Sequence, residues 1–100
     1  MLKVRPKLKI LIVDDSELNR EMLGSMLGDG YEILEAENGG QAVEIMREHV
    51  SELSLILLDV QMPQMDGLEL LKHMGRLHWI DVIPVIMISS ETAPKFIERD

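Results

Sequence analysis

The chain has 100 residues, 46% hydrophobic and 28% charged, which is the length and balance of one small globular domain with a single core. Ten basic residues against 18 acidic give a formal charge of −8, which argues against nucleic acid as a direct partner and suits a site for a divalent cation. There is no cysteine, so disulfides and thiolate metal sites are excluded and a cytoplasmic location is expected. No apolar run approaches the roughly 20 residues of a membrane span, and the basic-then-apolar start is followed by Asp14-Asp15 where a signal peptide needs small cleavage-site residues.

Residues 7–13 pass from alternating Lys7 and Lys9 into a continuous apolar run, the pattern of a strand buried on both faces. The four cations Lys3, Arg5, Lys7 and Lys9 read as a solvated lead-in to it. The run stops at Asp14-Asp15. From Ser16, Leu18, Met22 and Met26 recur with Leu23 and Leu27 beside them, predicting an amphipathic helix capped by Asp15 or Ser16 and stopped by Gly28-Asp29-Gly30. Residues 31–36, centred on Ile33 and Leu34, suit a short edge strand, and Asn38-Gly39-Gly40 opens a second helix carrying Ala42, Val43, Ile45, Met46 and Val50. Met22, Met26, Met46 and Met74 stand at helical spacing and are expected in the core.

The alternation repeats downstream. Residues 53–58 form another buried strand ending on Asp59, and Asp66-Gly67-Leu68-Glu69 starts a helix through about Leu77. A third apolar, β-branched run over residues 82–88 ends on Ser89-Ser90, with Pro84 tolerable only near its start. Pro94 suits the first turn of a fourth helix. Strands alternating with helices require a parallel sheet with right-handed crossovers and helices on both faces.

Asp14, Asp15, Asp59 and Ser89 then stand at the carboxyl ends of three apolar strands, where open parallel sheets bind ligands. Three carboxylates at close range repel unless a cation joins them, and Mg²⁺, a hard ion served by carboxylates, carbonyls and water, suits them. His49, His73 and His78 have no second ligand at metal spacing and read as solvated or capping groups.

Three separated segments resemble the receiver domain of two-component response regulators: Ile10-Leu11-Ile12-Val13-Asp14-Asp15-Ser16, Leu55-Ile56-Leu57-Leu58-Asp59-Val60-Gln61-Met62-Pro63-Gln64-Met65-Asp66-Gly67, and Pro84-Val85-Ile86-Met87-Ile88-Ser89-Ser90. The resemblance covers essentially the whole chain, so residues 1–100 are expected to form one receiver domain. It implies a flavodoxin-like three-layer α/β sandwich with strand order 2-1-3-4. By position, Asp59 matches the phosphoacceptor, Asp14 and Asp15 the acidic pair that binds Mg²⁺, Gln61 the residue whose backbone carbonyl is a further metal ligand, and Ser89 the switch hydroxyl. The implied partners are a sensor histidine kinase or histidine phosphotransfer protein and a fused or separate output domain, with no membrane contact. The implied role is regulatory rather than that of an enzyme turning over an external substrate.

One departure is large. Receiver domains continue to a fifth strand with an invariant Lys-Pro and then a fifth helix, and neither Lys95 nor Arg99 matches that lysine. The domain is therefore expected to be incomplete at its C-terminal side, and either poor stability or association through the exposed edge of the fourth strand is expected. Two other functions fit less well. An aspartate-nucleophile phosphatase of the haloacid-dehalogenase type wants Asp-x-Asp after the first strand, where Ser16 stands here. A flavin-binding module wants a hydroxyl- and glycine-rich phosphate loop, where Asp14-Asp15 would repel the phosphate.

Overall fold

The computed structural model describes residues 7–59 and 67–88. Their elements run β1 (Leu8–Val13), α1 (Glu17–Leu27), β2 (Tyr31–Ala36), α2 (Gly39–His49), β3 (Leu53–Asp59), α3 (Gly67–Arg76) and β4 (Val85–Ile88), with a one-turn 3-10 helix (Trp79–Asp81) before β4. The four strands form one parallel sheet in the order β2-β1-β3-β4, as expected from the sequence. The expected fourth helix at Pro94 lies outside the described residues. Among the described residues no helix is long and apolar enough to cross a membrane.

Local chemistry fixes the helix ends. Ser16 sits in extended backbone and its hydroxyl accepts from the Asn19 N–H at 3.2 Å, capping α1. Gly28 closes that helix at φ 81°, a left-handed conformation that glycine adopts without a Cβ clash. Asn38 caps α2 in the same manner as Ser16, accepting from the Gln41 N–H at 2.8 Å.

Period-two alternation divides the sheet's side chains between two layers. Leu11 and Val13 of β1, with Leu53, Ile56 and Leu58 of β3, face α2 and α3 in a core that also holds Ala42, Val43, Met46, Leu70, Met74 and Ile83. Ile10, Ile12 and Leu57 face the other way, against Leu23 and Leu27 of α1. Leu53 and Ile56 share a layer despite their odd spacing because the β1–β3 register shifts between Lys9 and Ile10, leaving Ser54 as an extra residue.

Three expectations need correction. The last strand begins at Val85, not Val82, because the amides of Val82 and Ile83 are both spent on the Trp79 carbonyl at 3.0 Å. Pro84 has no N–H, and its carbonyl opens the ladder by accepting from Ile56 at 3.0 Å. Met22 and Met26 are not core residues. Together with Leu18 they form a stripe 52–76% exposed, about 100° round the helix from the Leu23 and Leu27 pair that meets the sheet, whereas Met46 and Met74 are fully buried as expected. Finally, Lys9 is no solvated lead-in: its half-buried ammonium reaches Glu52 at 3.3 Å and Glu32 at 3.7 Å.

Candidate functional site

Val13 of β1 pairs with Leu58 of β3, so the next residue on each strand, Asp14 and Asp59, stands at the same carboxyl edge of the sheet. Both side chains are buried, at 0% exposure, while neighbouring Asp15 is exposed. One oxygen from each of the three carboxylates falls within 4.8 Å of the others. At that range each like-charged pair repels by roughly 3 kcal/mol at an effective dielectric of about 20. The backbone imposes this: two central strands end in register and each delivers a carboxylate.

Asp14 is held on every side. Its N–H donates to the Ala36 carbonyl at 3.0 Å, extending the β1–β2 ladder one step past the strand. Its carboxylate accepts from the Ser16 N–H at 2.8 Å and, more weakly, from the Asn19 side-chain amide at 3.5 Å. Its carbonyl accepts from the Arg20 guanidinium at 2.7 Å. The donor set of three oxygens, two of them buried, fits a hard divalent cation, which would offset the mutual repulsion.

The structure thus brings Asp14, Asp15 and Asp59 together. Gln61 and Ser89 lie outside the described residues, as do Pro63 and Ser90. The histidines stand apart from the cluster. His49 bonds Glu52 at 2.9 Å, His78 sits 3.5 Å from Asp81, and His73 packs edge-on against Trp79. At the opposite end of the sheet, the His49 hydrogen bond and then Lys9 hold the Glu52 carboxyl below its ordinary value of 4.5. The bond to Glu52 in turn leads the causes that raise Lys9.

Sequence reasoning missed Asn19, Arg20 and Glu35, which surround Asp14 without belonging to a motif. Asn19 had a legible signal, since a residue in the first turn after a cap faces back toward the preceding loop. Arg20 and Glu35 had none: they are far apart in sequence, and only the packing of α1 against β2 brings them together at 2.8 Å.

A family model described as the response regulator receiver domain matches residues 10–99. A protein-glutamate methylesterase/protein-glutamine glutaminase from Hydrogenovibrio crunogenus is 44% identical over 88 residues, covering 86% of this chain and 22% of that protein. The chain spans between 15% and 65% of the length of this and three other curated relatives. Among solved structures, chemotaxis protein CheY4 of Vibrio cholerae superposes with a TM-score of 0.76 at 32% identity, over 93% of this chain and 77% of its own. The co-crystal structure of the Saccharomyces cerevisiae histidine phosphotransfer signaling protein Ypd1 and the receiver domain of its downstream response regulator Ssk1 matches with a TM-score of 0.74 at 28% identity. That match covers 93% of this chain and 70% of the other.

Proposed function

Because the chain belongs to the family of response regulator receiver domains, we propose that it accepts a phosphoryl group on Asp59 and passes the signal to an output domain or target. The observation that carries this reading is the clustering of Asp14, Asp15 and Asp59 within 4.8 Å at the carboxyl ends of adjacent strands. In the proposed step an Asp59 carboxylate oxygen attacks the phosphorus of a phosphohistidine. A P–O bond forms as the P–N bond breaks, the imidazole leaves with the electron pair and takes up a proton, and Asp59 becomes an acyl phosphate. Mg²⁺, held by Asp14, Asp15, Asp59 and the Gln61 carbonyl, would supply charge neutralisation for the incoming phosphoryl group. Asp14 keeps its orientation through Ser16 and Asn19, and exposed Asp15 lies on the side open to a donor. Ser89, which follows the strand paired to Asp59, is assigned the hydroxyl that bonds the phosphoryl oxygen.

The donor is proposed to be a sensor histidine kinase or a histidine phosphotransfer protein, as the yeast receiver solved with Ypd1 supports. The same reading takes residues 1–100 as one regulatory receiver domain in the cytoplasm, able to pair with a second chain along the β4 edge. Nothing favours a haloacid-dehalogenase-type phosphatase. The position where that chemistry needs a second acid holds Ser16, whose hydroxyl is committed to capping α1.

The test is phosphorylation by acetyl phosphate with and without Mg²⁺. The expected product is a single alkali-labile phosphate that is absent from Asp59→Asn and strongly reduced in Asp15→Asn. Alkali-stable phosphate on Ser89 or on a histidine would refute the assignment.

A further inference from the structure

Two bonds on one guanidinium connect the acidic loop to a residue well away from it. Arg20 Nε donates to Glu35 Oε1 at 2.8 Å, and Arg20 Nη1 donates to the Asp14 carbonyl at 2.7 Å. The Arg20 side chain is 13% exposed, whereas Glu35 lies half-exposed on the edge strand β2. The Asp14 carbonyl is half of the peptide unit joining Asp14 to Asp15. With the Asp14 N–H tied to Ala36, the residue after Glu35, the backbone on both sides of Asp14 is anchored to β2. Asp15 itself accepts no hydrogen bond among the described residues, so the plane of that peptide governs the direction in which its carboxylate leaves the chain.

From this we infer that Arg20, oriented by Glu35, is a positioning residue that sets the spacing of Asp14 and Asp15 for the cation. The inference rests on the metal site proposed above. Without Glu35 the guanidinium loses the carboxylate that fixes its planar fork, and its bond to the Asp14 carbonyl becomes one of several it can make. Without Arg20 that carbonyl turns to water, and the Asp14–Asp15 peptide gains rotational freedom that a bound cation must remove. Supporting groups of this kind commonly change metal affinity about 10-fold or more when they are lost. Lysine is no substitute, since one ammonium cannot serve both oxygens in the geometry of the fork.

The test measures Mn²⁺ affinity of the 100-residue chain by the loss of the free-ion electron paramagnetic resonance signal, alongside amide exchange at Ser16. The Ser16 N–H donates to the Asp14 carboxylate and so reports its orientation without any metal. Arg20→Met is expected to weaken Mn²⁺ binding about 10-fold and Glu35→Gln by less. Arg20→Lys should fail to restore affinity, and the double variant should be no weaker than Arg20→Met alone, because the two residues act as a unit. Ser16 exchange should quicken in Glu35→Gln at an unchanged melting temperature. Should Arg20→Met fold poorly, Glu35→Gln, at a half-exposed position, decides the matter alone. Unchanged affinity and Ser16 exchange in Glu35→Gln, with Asp15→Asn losing Mn²⁺, would overturn the positioning role and leave the metal site standing. Failure of the unmodified chain to bind Mn²⁺ would overturn both.

Discussion

The two faces of the sheet are built from the same four strands yet are covered unequally. Among the described residues, twelve buried hydrophobic residues of the sheet, α2, α3 and the turn before β4 form the core of one face, with Leu34, Ile45, Val50, Leu71, Trp79 and Val85 packed around them. On the other face, among the same residues, α1 covers a core of three, Ile10, Ile12 and Leu57. Ile86 of β4, in register with Leu57, is half-exposed, and α1 turns Leu18, Met22 and Met26 outward. A helix can therefore carry a full amphipathic pattern and bury only part of it. The apolar stripe announces that the helix packs, and the number of neighbouring elements decides how much of the stripe is covered.

Substitutions on the two faces should separate accordingly, and the largest effect belongs to the doubly covered one. Met46→Ala and Leu58→Ala each remove a side chain at 0% exposure and are expected to cost about 2–5 kcal/mol in urea unfolding. A loss below about 1 kcal/mol in both would show that this core is looser than its burial implies. Next come the two caps. Asn38→Ala at the start of α2 and Ser16→Ala at the start of α1 should each cost about 1 kcal/mol by the same measurement. Equal losses would show that the faces differ in packing and not in helix quality.

Acid unfolding gives a smaller effect at the end of the sheet remote from the carboxylate cluster. The Glu52 carboxyl is held below 4.5 by His49 and Lys9, so its stabilisation is complete above that pH and disappears as the pH falls through the lowered value. Glu52→Gln should lower the melting temperature slightly near neutrality and flatten its decline in that window. A decline as steep as that of the parent chain would remove Glu52 from the account. The smallest effect is expected at Met22→Gln and Met26→Gln, within about 0.5 kcal/mol of the parent chain. A loss as large as that of Met46→Ala would mean that the outward face of α1 is covered after all, and would erase the asymmetry.

Much of this was legible in the residues. The strand ends at Asp14 and Asp59, a cap at Asp15 or Ser16, the stop at Gly28 and the parallel order of the sheet all follow from local chemistry and alternation. The exposed methionines were not legible. Periodicity reports that Met22 and Met46 each lie on an apolar face, and only the tertiary layer tells which face meets another element. The shortening of β4 was half legible: Pro84 warned that the ladder could not begin earlier. The 3-10 turn that spends the Val82 and Ile83 amides begins after His78, a non-glycine residue at φ 64° with no composition signal. In the acidic site the carboxylates were visible and their supports were not. Carboxylates at strand ends form a sequence pattern, whereas the Arg20–Glu35 bond exists only through the packing of α1 against β2.

The central place of β1 has a consequence in time. Ile10 pairs with Ile33 on one side and Leu55 on the other, and in parallel pairing every rung closes a loop of comparable length. This largely apolar strand thus waits for two crossovers before both of its edges are satisfied. In that interval the run from Ile10 to Val13 is a sticky segment flanked by Lys7 and Lys9 before it and Asp14 and Asp15 after it. Flanking charges of this sort oppose the stacking of such segments between chains. Asp14 and Asp15, proposed to hold the cation in the folded domain, therefore also guard the strand while the domain is still being made. Neutralising both should show itself first as turbidity on refolding at high protein concentration.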